Sequence, residues 1–234
     1  MTGIMIGGSN GAANTGNLID FSFKRAPGFF DVVAYTGNGS ARTIPHNLGA
    51  TPSVVIVKSR TVGFNWYWQH YALGANTYMQ INSESQATNG QVFNSTLPTS
   101  SVFSVGSLGA TNNNNSDYIA YLFGDLDQIS KAGTYTGTGS NVNVNCGFTA
   151  GARFVVIKRV DGSPGATNQG DWYVWNSARG IVSGSDPFMK LNTTDQEFTG
   201  DDYIDPLNAG FTVTSSAPAD LNANGGTYLF LAIA

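Results

Sequence analysis

Six segments from the first half of the chain recur in the second half, in the same order. VAYTGNGS (33–40) returns as GTYTGTGS (133–140), SVVIVKSR (53–60) as RFVVIKRV (153–160), and FNWYW (64–68) as GDWYVW (170–175). YMQIN (78–82) returns as FMKLN (188–192), SVFSVGS (101–107) as AGFTVTS (209–215), and NNNSDYIAYLF (113–123) as NANGGTYLFLAI (222–233). An ordered series of this kind points to one structural unit used twice. It divides the chain into an N-terminal segment (1–26), a first unit (27–126) and a second unit (127–234). NTGNLIDFSF (14–23) also matches the closing segment of each unit. That extra strand either completes the sheet of the first unit, with the strand at 118–123 completing the second, or is the remnant of an earlier unit. With three closing strands for two units, one strand is left at an edge open to subunit pairing.

The repeated segments read as strands. VVAYTG, VVIVKSR, YWQHYA, MQINS and YIAYLF are short, rich in Val, Ile, Tyr and Trp, and bounded by Gly, Asn, Pro or Ser. No stretch sustains a 3.6-residue apolar period with caps, and at most a turn of helix is expected near 125–131. The run VVIVK is apolar throughout. So are both faces of YIAYLF, with Tyr118, Ala120 and Leu122 on one and Ile119, Tyr121 and Phe123 on the other. Strands of this kind are covered on two sides, as in the middle of a sandwich. TGNG (36–39) and TGTG (136–139) supply the glycines that tight hairpins need. IPHNLG (44–49) and GFTAG (147–151) are loops leading into the VVIVK-type strands. The predicted fold is all-β: two tandem β-sandwich units of roughly seven or eight strands each, related by internal duplication and joined near 124–132.

Charged residues make up 11% of the 234, against roughly 25% in an ordinary soluble domain, and 29 residues are glycine. Hydrophobic residues, at 41%, are plentiful enough for the chain to fold. A low-charge, Gly-, Asn- and Thr-rich chain suits extracellular β proteins and virion appendages. With a net charge of -4, only 11 Lys and Arg, and no basic cluster, nucleic acid is not an expected partner. The longest apolar runs are strand-sized, short of the ~20 residues of a membrane helix. The start MTGIMIGGSNGAANTG lacks the charge and apolar core of a secretory signal. The single cysteine, Cys146, forms no intrachain disulfide and reads as a small hydrophobe.

Side chains that carry chemistry are sparse. His46 and His70 show no HExxH or paired spacing, and there is no CxxC, so no metal site and no cofactor is expected. His46 reads as a turn histidine bonded to backbone, and His70, beside Tyr71, as an exposed or interface residue. There is no GxSxG elbow, and the second unit matches neither histidine, so no catalytic residue is assigned. The stretch DQEFTGDDYID (195–205) gathers Asp195, Glu197, Asp201, Asp202 and Asp205. It reads as a solvated loop, with Ca²⁺ binding left open because the spacing is not that of an EF-hand. A glycosidase pair held across a cleft has no support. Gly37-Asn38-Gly39 lacks the helix and lysine of a phosphate loop. Trp66 aligns with Trp172 and Trp68 with Val174, positions expected in the core. Tyr67 and Tyr173 align on the opposite face, which Trp175 shares. With Tyr71 they are the candidates for stacking on a glycan, packing in a subunit interface or forming a second apolar face.

FKRAPGFFDVVAYTGNGS, IPHNLGATPSVVIVKSR, NWYW, LPTSSVFSVGS and DYIAYLF together resemble a domain family of unknown function. That family is common in structural proteins of tailed bacteriophages, especially marine and cyanobacterial ones, and often occurs in tandem copies. The likeness covers 15–234. The second unit departs from it where IPHNLG gives way to NCGFTAG (145–151). The resemblance implies a non-enzymatic component of the virion exterior, a fibre- or spike-type appendage that contributes to host-surface recognition. Its implied partners are itself, as a homotrimer by analogy with phage fibres, other virion proteins and a host-surface glycan. Capsid (head) decoration or a head fibre is the alternative, and a polysaccharide depolymerase is a third reading.

Overall fold

A computed structural model describes residues 21–162 and 170–234. In the first half the strands are β1 (Phe30–Thr36), β2 (Arg42–Pro45), β3 (Pro52–Ser59), β4 (Tyr67–His70), β5 (Thr77–Gln80), β6 (Thr88–Asn89), β7 (Val102–Val105) and β8 (Asp117–Gly124). A one-turn helix, α1 (Gly109–Asn112), precedes β8. In the second half they are β9 (Ser130–Thr136), β10 (Val142–Asn145), β11 (Phe154–Arg159), β12 (Trp172–Asn176), β13 (Met189–Lys190), β14 (Ile204–Leu207), β15 (Gly210–Val213) and β16 (Thr227–Ile233). A second one-turn helix, α2 (Ala219–Asn222), precedes β16. The chain is all-β. Residues 125–131 hold a turn closed by a Leu126–Ser130 bridge, and the two short helices lie elsewhere.

Two large antiparallel sheets carry most of the backbone pairing. One has the order β1-β8-β3-β4-β5-β6 and the other β13-β12-β11-β16-β9. A two-stranded sheet, β2-β7, and a three-stranded one, β10-β15-β14, complete the set. Successive side chains on a strand point to opposite faces, so an apolar run puts apolar surface on both. On one face of the first large sheet, Val55, Val57, Tyr67, Tyr118, Ala120 and Leu122 pack with Ile44, Phe103 and Val105 of β2-β7. On one face of the second, Val155, Ile157, Tyr173, Trp175 and Tyr228 pack with Val144, Ile204, Phe211 and Val213 of β10-β15-β14. The remaining faces pack on each other. Val54, Ile56, Trp68, Met79 and Phe123 meet Val156, Trp172, Val174, Leu229 and Leu231. The order of layers is small, large, large, small. Each large side chain buried in the middle layer stabilises the fold by ~1.5–3 kcal/mol before entropic costs. The apolar character of both faces of VVIVK and YIAYLF follows: one face serves its own half and the other serves the opposite half.

The closing strands stay at home. β8 lies between β1 and β3, with Phe30 opposite Phe123 and Ser59 opposite Tyr118. β16 lies between β9 and β11 in the same manner. The arrangement in which 118–123 completes the second half is therefore incorrect: backbone pairing with β1 and β3 already uses both its edges. Residues 14–20 of the N-terminal segment lie outside the described residues. Phe21 and Phe23 are not in a strand. Their rings stand edge-on to Phe154 and Phe123, centroids 5.2–5.4 Å apart, at the margin of the middle layer.

TGNG and TGTG do not turn hairpins. β1 and β2 belong to different sheets, as do β9 and β10, so these loops carry the chain from a large sheet to a small one. Gly39 and Gly139 take the left-handed conformation, with φ of 72° and 70°. Gly37 and Gly137 serve close approach instead: a Cβ there would collide with the carbonyl oxygen of Asn113 or Ala223. Each crossing is fastened by an asparagine. Asn112 Nδ2 donates to the carbonyls of Ser40 (2.6 Å) and Gly106 (2.9 Å), and its Oδ1 accepts from Asn38 N. Asn222 Nδ2 donates to Ser140 and Thr214 carbonyls, both at 2.8 Å, and its Oδ1 accepts from Thr138 N.

Candidate functional site

A cleft of about 640 Å³ opens where the residues after β5 meet the residue after Leu191 in the other half; it is lined by residues 82–86, Thr88 and Asn192. Its walls are fixed by hydrogen bonds. Trp172 N donates to Asn192 Oδ1 (2.8 Å), and Asn192 Nδ2 donates to Asp171 Oδ1 (2.7 Å). Asp171 Oδ2 pairs with Lys190 Nζ at 2.6 Å. On the facing wall Asn82 Oδ1 accepts from Trp66 N (3.0 Å), and Asn82 Nδ2 donates to Asn65 Oδ1 (2.8 Å). Two struts cross from one half to the other beside it. Trp172 Nε1 donates to the Gln80 carbonyl (2.9 Å). The buried Lys158 amine donates to the carbonyls of Glu84 (2.9 Å) and Gly170 (2.7 Å). Burial lowers the Lys158 amine to about 8, because water is no longer there to solvate the ammonium; the nearby carboxylates of Asp220, Asp171 and Glu84 work in the opposite direction.

The lining is amide, hydroxyl and one carboxylate, Glu84. Such a surface offers mixed donors and acceptors to a hydroxyl-rich ligand. A single carboxylate does not provide the acid and base pair of a glycosidase. Trp66 flanks the cleft through its bond to Asn82. It is 37% exposed and stacks on Tyr121 at 6.2 Å.

The aromatic candidates read from the sequence are not brought together as a contact surface. Tyr67, Tyr173 and Trp175 are buried, in the layers beneath the two small sheets. A glycan cannot reach them, because β2-β7 and β10-β15-β14 cover these faces; of the three uses open to them, they take that of a second apolar face. Tyr71 alone of the four is exposed, at 44%. The aligned pair Trp66 and Trp172 is also split: Trp172 is fully buried in the middle layer, whereas Trp66 stands at its rim. Trp68 and Val174 both lie in the middle layer, as expected of core positions.

The remaining singled-out residues sit in backbone networks. His46 Nε2 lies 3.1 Å from the Thr99 carbonyl and its Nδ1 accepts from Leu48 N, the arrangement expected of a turn histidine. His70 is fully buried between the halves, not exposed. Its Nδ1 accepts from Ala72 N, which leaves the proton on Nε2, 3.4 Å from the Phe230 carbonyl. Burial holds its imidazole down at about 4. Cys146 is buried, and desolvation pushes its thiol up to about 12.

The acidic stretch divides. Asp195 is exposed, and Glu197 accepts from Arg179 Nη1 at 2.7 Å. Asp202 and Asp205 each turn one oxygen into a buried position without a hydrogen-bond partner, as does Asp186, which precedes the stretch. Among the described residues no three His, Cys, Asp or Glu side chains close around a common point as a metal cage. Sequence reasoning missed Asp186, whose spacing carries no signal. It also missed Asn112, Asn222 and Lys158, although asparagine before the closing strand and lysine in the VVIVK-type strand both recur in the two halves.

Fold and cleft together define an all-β protein whose repeated motifs serve packing and layer crossing. The chain belongs to the family described as a domain of unknown function (DUF7483), whose model matches residues 6–234. No curated protein and no solved structure matches it.

Proposed function

We propose that the chain is a non-enzymatic structural protein of the exterior of a tailed-phage virion, a fibre- or spike-type component that contributes to host-surface recognition. The observation that carries this reading is the shared middle layer. It joins the two halves into one block through Trp68, Trp172 and their neighbours, as suits a part that must bear load rather than open and close. The low charge and the phage-type motifs of the sequence support it as well. We read the two halves as tandem β-sandwich units (27–126 and 127–234) descended from one module. Matching registers support this: Val57 faces Tyr67 as Ile157 faces Tyr173. The Tyr118 and Tyr228 hydroxyls donate to the carbonyls of Gly109 and Ala219, each at 2.5 Å. In this reading the cleft at residues 82–88 and Asn192 takes a neutral host glycan weakly, and copy number on the particle, in a homotrimer or a larger array, supplies avidity.

Labelled antibody against the chain, applied to intact virions, tests the reading. Decoration of a tail appendage is the expected result. Absence of binding contradicts exterior display, and hundreds of copies across the head would replace the appendage with capsid decoration.

A further inference from the structure

We propose that Asn224 is a site of spontaneous covalent modification, where the side chain cyclises onto the backbone nitrogen of Gly225 and reopens as aspartate or isoaspartate. The turn that carries it joins α2 to β16. Gly226 N donates to the Ala223 carbonyl (2.9 Å), and Gly225 takes the left-handed conformation at φ 79°. Asn224 is exposed, and its carboxamide makes no hydrogen bond to a described residue. The first half has the same turn before β8. Ser116 N donates to the Asn113 carbonyl (3.2 Å), Asn115 sits at φ 58°, and Asn114 is exposed. Asn115 N and Gly225 N donate to matching carbonyls, those of Gly37 (3.0 Å) and Gly137 (2.9 Å). The residue after the exposed asparagine is what separates the two turns, Asn115 in one and Gly225 in the other. Glycine has no Cβ to shield its nitrogen and moves most freely into conformations that bring the preceding carboxamide over it.

Two further Asn-Gly pairs among the described residues are held. Asn38 Oδ1 accepts from Ser40 N (3.0 Å) and from Asn112 Nδ2 (3.2 Å), inside the first crossing. Asn89 lies in β6 opposite Thr77, and its Oδ1 accepts from the Thr77 hydroxyl (3.0 Å). The nitrogens of Gly39, Gly90 and Gly225 all donate to a carbonyl, at 2.8–2.9 Å, so the freedom of the asparagine side chain decides between the sites. In the reaction the Gly225 nitrogen bonds to Asn224 Cγ. Its proton leaves with the carboxamide nitrogen as ammonia, and a five-membered imide results. Water then opens the imide at either carbonyl. One opening gives aspartate. The other gives isoaspartate, whose backbone runs through the former side chain and is longer by a methylene. Gly137 has little room for that change, since a Cβ on it would already collide with the Ala223 carbonyl oxygen. The modification thus adds a negative charge and loosens the second layer crossing. This inference is independent of the proposed virion role.

The test is peptide mapping by mass spectrometry of the folded full chain after weeks at slightly alkaline pH, with aspartyl and isoaspartyl forms separated. Asn224 is expected to convert at least about tenfold faster than Asn38, Asn89 and Asn114. In urea, Asn38 and Asn89 are expected to catch up with Asn224, and Asn114 to stay slow. Two variants exchange the turns. Gly225→Ala, whose Cβ meets nothing within 4 Å, is expected to slow Asn224 to the rate of Asn114. Asn115→Gly is expected to bring Asn114 up to the rate of Asn224. An Asn224 that stays intact, or converts no faster than the other three in the folded chain, overturns the proposal. So does an Asn114 that stays slow in Asn115→Gly, because the glycine nitrogen would then not be what selects the site.

Discussion

The indole rings of Trp68 and Trp172, one from each half, meet across the middle layer with centroids 5.0 Å apart and planes inclined at 49°. Both are buried, and Trp172 also donates to the Gln80 carbonyl of the other half. Trp172→Ala therefore removes a large apolar contact between the halves and one hydrogen bond to the Gln80 carbonyl, which still accepts from Ser83 N. It is expected to cost about 3–5 kcal/mol. Urea unfolding checks this. Trp66→Ala, at the exposed rim, is the control and costs about 1 kcal/mol or less.

Asn112 and Asn222 each satisfy several backbone groups at the layer crossings. Asn112→Ala leaves the Gly106 and Ser40 carbonyls and Asn38 N without their partner. A loss of about 2–4 kcal/mol is expected, with the same range for Asn222→Ala. Asn112→Asp keeps the acceptor but removes the donor and repels both carbonyls, so it is expected to be no better than alanine. Thermal melts of the variants distinguish the cases.

His70 makes stability depend on pH. Its folded-state value, about 4, lies below the ordinary 6.5, because charging it between the sheets costs solvation; hydrogen bonding to the Phe230 carbonyl and the charge of Asp125 offset part of that cost. The neutral form is the one that folds well. The contribution is complete above pH ~6.5 and is lost as pH falls toward 4, a total of about 3 kcal/mol. His70→Asn, the residue at the corresponding place in β12, is expected to flatten the stability profile across this window. An unaltered profile would show that another group controls it.

The two glycines of TGNG fail differently when replaced. Gly39→Ala forces a side chain into left-handed backbone (φ 72°) with only ordinary contacts around it, and about 1 kcal/mol is expected. Gly37→Ala drives a methyl group into the carbonyl of Asn113, which is fastened in the crossing. A cost of about 3 kcal/mol or more is expected there. Guanidinium unfolding of the two variants checks the order. Equal losses would contradict the close-approach role of Gly37.

Periodicity made the strands legible. VVIVK and YIAYLF are apolar on both faces, and both are covered on both faces. What covers them was not legible. A sheet buried under a small partner sheet and one buried under a second large sheet require the same residues, so Trp175 and Tyr173 could not be told from surface aromatics. TGNG was misread for a related reason: glycine reports backbone freedom and close approach, not whether the next strand pairs with the last. Asp186 escaped notice because it lies outside the dense acidic run, and only folding buries it.

Scanning calorimetry of the intact chain tests most directly whether the two halves share a core. A single transition is expected, with calorimetric and van't Hoff enthalpies equal, since neither large sheet can lose its partner without exposing the face that carries Val54, Trp68, Trp172 and Leu231. Two separable transitions, each with the enthalpy of about half the chain, would mean that the halves are independent and that the middle layer contributes little.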